Sequence, residues 1–261
     1  MDLLELTDDV RQIALEAGRF IREERKRFSR ESIEKKHAHD YVSYVDKESE
    51  KRIVTRLKEL LPDAGFIAEE GSGSMTDEKY CWVVDPLDGT TNFIHDNSPY
   101  CVSIALRDEK ELLLGVVYEI CRDECYWTYK GAPSYLNGNV IHVSSVNTLD
   151  DAFIAIGFPY RAEEYKSFAL RFIKTCYGNV AGLRLVGAAA AEMCYVAAGR
   201  FDARIESYLG PWDIAAGCLI LQNAGGKVTD FSGGDTFYSG HQVLASNGKI
   251  HDFLLNIIED R

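Results

Sequence analysis

The stretch Trp82-Val83-Val84-Asp85-Pro86-Leu87-Asp88-Gly89-Thr90-Thr91-Asn92-Phe93 constrains the fold of this chain more than any other. Its apolar start reads as a buried strand, and two acids three residues apart close that strand. Gly89 lets the backbone come close to a ligand. Thr90 and Thr91 are placed to open a helix, whose first N–H groups attract an anion. Carboxylates at a strand end beside a helix start suit hard cations together with a phosphate.

The flanking segments extend this reading. Leu3 to about Phe28 carries apolar residues at helical spacing, with an Arg- and Lys-rich end, and a second helix is expected over Val45 to Leu61, stopped by Pro62. Gly65 to Ala68 and Tyr80 to Val84 are expected as short buried strands, joined through the small polar loop Gly71-Ser72-Gly73-Ser74. Cys101 to Leu106, Leu112 to Ile120 and Cys125 to Tyr129 read as an antiparallel meander, and Asn137-Gly138 is a turn signal after it.

From about Asp150 strands alternate with helices. Strands are expected at Ala152 to Ile156, Leu183 to Val186 and Phe201 to Ile205, with helices at Glu163 to Cys176, Gly187 to Ala198 and Trp212 to Ala224. Strands at Lys227 to Thr229 and Val243 to Ala245, and a helix from Lys249, complete the chain. The pattern predicts an α+β lobe over 1–148 and an α/β lobe over 149–261, closely packed and without a linker. A cleft at their junction is a natural ligand site.

With 261 residues, 46% of them hydrophobic, the chain can bury a substantial core. A formal charge of −12 disfavours nucleic acid and anionic membrane surfaces as partners. No apolar run approaches the roughly 20 residues that span a bilayer, and the acidic, amphipathic start is unlike a secretory signal. Seven cysteines without a CxxC pair read as reduced thiols, and a cytoplasmic enzyme is expected.

Acids stand at element ends in three segments: Glu69-Glu70, Asp85 with Asp88, and Asp213 after Pro211-Trp212; Asp46 lies upstream. Singly, each has a plain explanation as a turn former or a first-turn helix charge. Gathered in one cleft they would repel strongly unless cations neutralised them. Oxygen donors without clustered His or Cys point to Mg²⁺ or Mn²⁺. His95 follows the motif, but such chemistry needs no imidazole, and helix capping accounts for it.

In these residues the chain resembles the inositol monophosphatase family. Glu69-Glu70, Asp85 to Phe93 and Trp212-Asp213-Ile214-Ala215-Ala216-Gly217 match its motifs in order, and the likeness runs from the first helix to Gly225-Gly226. It implies a layered αβαβα sandwich of the sugar-phosphatase type, a homodimer and inhibition by Li⁺. It implies two to three Mg²⁺ ions, for which Mn²⁺ could substitute, held by Glu70, Asp85, the Leu87 carbonyl, Asp88 and Asp213. Glu70, Thr90 and Asp46 would orient a metal-bound water, while the Gly89 and Thr90 N–H groups would take the phosphate. Asp88, Gly187, Ala189 and Glu206 would hold polyol hydroxyls, and Lys35 or Lys36 would position water.

The activity so implied is hydrolysis of myo-inositol 1-phosphate and related polyol monophosphates. Fructose-1,6-bisphosphatase, 3′-phosphoadenosine 5′-phosphatase and histidinol-phosphate phosphatase share the superfamily and stay open, although Thr91-Asn92-Phe93 and Glu206 favour the inositol branch. Gly157-Phe158-Pro159-Tyr160 and Gly210-Pro211 depart from the animal enzymes near the expected substrate rim, which bears on preference and not on chemistry. A reading of another class, a non-catalytic regulatory partner protein, also remains.

Overall fold

The computed structural model describes residues 1–29, 33–37, 40–72, 78–158 and 162–259. In chain order its first elements are α1 (Leu3–Arg27), β1 (Ile33–His37), β2 (Asp40–Ser43), α2 (Tyr44–Leu60), β3 (Gly65–Ala68), β4 (Tyr80–Asp88) and α3 (Thr90–Ile94). Then come β5 (Cys101–Asp108), β6 (Leu112–Glu119), β7 (Glu124–Tyr129), β8 (Tyr135–Leu136), β9 (Asn139–Val140) and β10 (Phe153–Ile156). The remainder is α4 (Ala162–Cys176), β11 (Gly182–Arg184), α5 (Ala189–Ala197), β12 (Ala203–Ser207), α6 (Pro211–Asn223), β13 (Lys227–Thr229), α7 (Phe237–Gly240), β14 (Gln242–Ser246) and α8 (His251–Glu259).

Five layers result. Helices α1 and α2 cover one face of a seven-stranded sheet ordered β3-β4-β5-β6-β7-β8-β9. Helices α5 and α6 lie between that sheet and a five-stranded one ordered β11-β10-β12-β14-β13, whose far side carries α4 and α8. The layered αβαβα sandwich expected from the family resemblance is therefore the observed architecture.

Each layer follows from its pattern. Along α1, Leu6, Val10, Ile13, Ala17 and Ile21 are buried, and Asp2 caps the start by accepting from Leu4 N at 2.9 Å. The central strands are buried on both faces, so they read as continuous apolar runs. Trp82, Val84, Ile104 and Val116 face α1 and α2, while Cys81, Val83, Ala105 and Val117 face the middle helices. α6 lies between two sheets, and all of Ile214 to Leu221 is buried. It packs so closely on β6 that a Cβ at Gly115 would lie 2.9 Å from the Ala216 carbonyl oxygen.

Several element bounds differ from the expectation, each for a local reason. β4 runs through the motif to Asp88 and includes Pro86; β3 pairs with it only as far as Val84, and the β4–β5 register shifts between Asp85 and Asp88. Pro86 thus sits at a bulge, where the missing N–H breaks no ladder bond. α5 begins at Ala189 instead of Gly187, because Gly187 has φ +85°. The β1–β2 hairpin has no apolar alternation to announce it. The 148/149 boundary falls between β9 and β10, although α5 and α6 contact both sheets. Among the described residues no helix is long and apolar enough to cross a membrane, and all seven cysteines are free thiols.

Candidate active site

The ends of β3 and β4 meet the start of α6 in a cleft of about 310 Å³. Its lining includes Glu69, Asp85, Leu87, Asp88, Gly89, Thr90, Tyr208, Leu209, Trp212, Asp213 and His241. Two of these, Tyr208 at φ +66° and His241 at φ +57°, hold the left-handed backbone that non-glycine residues rarely adopt.

Strand parity explains which acids reach the cleft. Asp85 shares a face with Val83, toward the middle helices. Plain alternation would turn Asp88, three positions on, to the other face. The extra residue of the bulge, with Asp85 opposite Ser103 and Asp88 opposite Cys101, brings both to the same side. At β3 the acid in the cleft is Glu69, which shares the parity of Ile67 and continues the pairing by donating its N–H to Val84 O at 3.2 Å.

Glu70, expected as the ligand and water-orienting acid, is not among the cleft-lining residues. It falls in the turn after β3, where its N–H donates to Glu50 Oε2 at 2.7 Å; Ser72 N donates to Glu50 Oε1 at 2.8 Å. Glu50, fully buried in α2, thus holds the loop behind Glu69 from the opposite side of the sheet. Its position inside α2 gives no sequence signal that sets it apart from other helix acids.

Gly89, at φ +88°, turns the chain from β4 into α3, and a Cβ there would lie 2.9 Å from Pro99 O. On α3, Thr90 Oγ1 donates to Asp46 Oδ1 at 2.9 Å, with Leu87 O an alternative acceptor at 3.0 Å. Asp46 is buried in the first turn of α2, where its Oδ2 accepts from Ser43 N at 2.9 Å and Ser43 Oγ at 2.7 Å. Burial raises the Asp46 carboxyl above the usual range, opposed by the bonds from Ser43 and Thr90.

Asp88 has a second task. Its Oδ1 accepts from Ala189 N at 3.0 Å and its Oδ2 from Ala190 N at 2.8 Å, so a strand acid caps α5, whose own N-cap Ala188 has no side chain to do so. Ala189, expected among the substrate contacts, donates its N–H to Asp88. Asp213, in the first turn of α6, accepts from Gly210 N at 2.6 Å.

The electrostatics are those of unscreened acids. Burial first, then the charges of Glu69, Asp88 and Asp213, pushes Asp85 well above the carboxylate range; burial with Glu69 and Asp88 does the same to Asp213. Asp88 is also raised by burial. Among the described residues no Lys or Arg lines the cleft. The four carboxylates border the space instead of closing on one point, and no three His, Cys, Asp or Glu side chains among the described residues form a closed cluster. An all-oxygen, anion-rich and partly open donor set fits hard divalent cations that retain water.

The remaining candidates are more dispersed. Glu206, on β12, is half-buried; burial lifts its carboxyl to about 7 against the opposing charge of Arg204. It pairs with Arg204, and neither residue lines the cleft. Gly187 lies in the turn before α5, its carbonyl near Asn92 Nδ2 at 3.4 Å. Lys35 and Lys36 belong to β1, but their side chains lie outside the described residues, as do Pro159 and Tyr160. His95 is the exposed C-cap of α3 and does not line the cleft. The buried partners Glu192 and Arg204 could not be told in sequence from ordinary helix and strand charges.

The sequence matches the description "Inositol monophosphatase family" over residues 2–261. The protein named Nus factor SuhB of Pseudomonas aeruginosa is 39% identical, covering 94% of this chain and 93% of that protein. The fructose-1,6-bisphosphatase/inositol-1-monophosphatase of Aquifex aeolicus is 38% identical, over 94% of this chain and 91% of that one. Among solved structures, an inositol monophosphatase from Anabaena superposes with a TM-score of 0.89 at 30% identity, covering 99% of this chain and 96% of the other.

Proposed function

The chain belongs to the inositol monophosphatase family, and from that premise we propose a Mg²⁺-dependent phosphomonoesterase acting on myo-inositol 1-phosphate and related polyol monophosphates. The observation that carries this reading is the presence of Glu69, Asp85, Asp88 and Asp213 in one cleft with the Gly89–Thr90 turn.

In this reading Glu69, Asp85, the Leu87 carbonyl, Asp88 and Asp213 would hold two Mg²⁺ ions, with Glu69 also available to a third, so that Glu69 would take the role expected of Glu70. When bound, the ions screen the phosphate, activate a water and stabilise the leaving alkoxide. The chain supplies position and proton handling. The Gly89 and Thr90 N–H groups receive phosphate oxygens. The Thr90 hydroxyl donates to Asp46, which leaves the lone pairs of Thr90 Oγ1 to accept from the attacking water; as that water gives its proton to Thr90 Oγ1, the Thr90 proton would pass to Asp46. A buried Asp46 with raised proton affinity suits that relay. Asp88 would recognise hydroxyls from within the cleft, and Glu206 and Gly187, just outside its lining, would meet the parts of the polyol that extend beyond it.

The deciding experiment is Mg²⁺-dependent phosphate release, comparing kcat/KM for myo-inositol 1-phosphate, fructose 1,6-bisphosphate, 3′-phosphoadenosine 5′-phosphate and histidinol phosphate. A lead for the inositol ester supports the reading. A lead for fructose 1,6-bisphosphate, the second reading favoured by the double name of the Aquifex aeolicus relative, keeps the metal site and replaces the substrate. No release from any would favour a non-catalytic role as a protein factor, in keeping with the name of the Pseudomonas aeruginosa relative. A homodimer in the cytoplasm, inhibited by Li⁺, completes the proposal; light scattering tests the first point and turnover in LiCl the last.

A further inference from the structure

Behind the cleft, one arginine ties β12 to the turn that opens α5. Arg204 lies fully buried on β12. Its Nε donates to Glu192 Oε2 at 3.1 Å and its Nη2 donates to Glu206 Oε2, while Nη1 has no partner among the described residues. Glu192, on α5 and 1% exposed, gives its other oxygen to the Gly187 N–H at 2.9 Å. A single guanidinium therefore links Glu206 to the turn that opens α5, the helix Asp88 caps.

Glu206 is also confined from its other side. A Cβ at Gly157 would stand 2.0 Å from Glu206 Cδ, so the carboxyl occupies the space that any side chain at 157 would need. Stability alone gives a poor account of this cluster. Burying a guanidinium and two carboxylates costs the solvation of three charges, and buried ion triads are often replaced by apolar residues without loss. Fixed direction is what such a cluster supplies.

We propose that Arg204 is a positioning residue for substrate preference: it fixes Glu206 and the Gly187 turn relative to each other, and so holds the wall that recognises polyol hydroxyls at a set distance from Asp88. This rests on the reading of the cleft as a polyol-phosphate site. Arg204 makes its hydrogen bonds to Glu192 and Glu206 and reaches Asp88 only through space, as a charge, so its main effect falls on the polyol.

The test compares kcat and KM for myo-inositol 1-phosphate and for phenyl phosphate, a monoester without hydroxyls, in Mg²⁺. For Arg204→Met the KM for the inositol ester should rise roughly tenfold, with both constants for phenyl phosphate within about twofold of wild type. Arg204→Lys should recover part of the loss, because one ammonium cannot serve both carboxylates. Gly157→Ala displaces Glu206 and leaves the Arg204–Glu192 pair alone; it should reproduce the KM rise, and it decides the matter if the Met variant does not fold.

Equal losses on both substrates would mark a merely structural role and overturn the proposal. So would an inositol preference unchanged in the variants. A wild-type protein that hydrolyses phenyl phosphate with no advantage for the inositol ester would instead overturn the polyol reading, and this inference with it.

Discussion

Thr90 donates its hydroxyl to Asp46 over 2.9 Å, joining the start of α3 to the first turn of α2 across 44 positions of sequence. Asp46 divides its oxygens between two tasks. One closes the capping box with Ser43, and the other receives Thr90. The same carboxylate that starts a helix thereby fixes the rotamer of a hydroxyl on the cleft wall.

Asp46→Asn separates these tasks. The amide oxygen can still accept from Ser43, but the amide nitrogen cannot accept from Thr90. Steady-state assays should show kcat lowered by about 10²–10⁴, the usual weight of a positioned proton acceptor, with an unchanged circular dichroism spectrum. Thr90→Ala should cost as much, and the double variant no more than either single one. Turnover of Asp46→Asn near the wild-type value would refute the relay.

Asp213→Asn removes one charge from a set of mutually repelling buried acids and leaves a side-chain oxygen for the Gly210 N–H. In EDTA the variant should melt no lower than wild type, because the repulsion is relieved. In Mg²⁺ the wild type should gain roughly 5–10 °C at a hundred times its dissociation constant, and the variant should gain little and turn over no substrate. A full Mg²⁺-induced shift in Asp213→Asn, read by scanning calorimetry, would remove Asp213 from the ligand set.

How much of this site is legible in sequence depends on whether the determinant is local. Asp85, Asp88 and Asp213 could be marked because each ends or begins an element whose pattern is plain. Choosing between Glu69 and Glu70 could not be done that way. The choice turns on β3 keeping its parity one residue past Ala68 through a bond to Val84, and on Glu50 drawing the next N–H to the other side. The capping of α5 by Asp88 joins residues 101 positions apart, so the run Gly187 to Ala191 showed only small residues. The layers were more accessible, since α6 is apolar all round and must be enclosed. The hairpin β1–β2, with Glu34, Lys35 and Lys36 in its first strand, offers no such signal.

Gly115→Ala tests the coupling of fold and site. The added methyl would meet the backbone of α6 at Ala216, with the carbonyl oxygen 2.9 Å and Cα 3.0 Å away, and a backbone cannot rotate aside as a side chain can. α6 must shift away from β6 and carry Asp213 with it. Denaturant unfolding should report a loss of about 1–3 kcal/mol, the range for an overpacked core. The Mg²⁺ concentration for half-maximal activity should rise in parallel. A destabilised variant with unchanged Mg²⁺ dependence would show that Asp213 is placed independently of this contact.

His251 gives the fold its own pH dependence, away from the cleft. It is fully buried, with Nε2 2.9 Å from Thr229 Oγ1 and Nδ1 2.8 Å from Ser246 Oγ. Burial, reinforced by Lys227 and opposed by Asp252, lowers its pKa to about 4. The folded protein therefore prefers the neutral ring. Above pH about 6.5 the unfolded chain is neutral as well, and the full contribution is present. As pH falls from about 6.5 toward 4, only the unfolded state takes up the proton, and on the order of 3 kcal/mol of stability is lost. His251→Gln should be the less stable protein at pH 7, but its deficit relative to wild type should shrink steadily by pH 4.5 in urea titrations. A deficit that stays constant across that interval would mean that His251 is protonated as readily in the fold as in the unfolded chain.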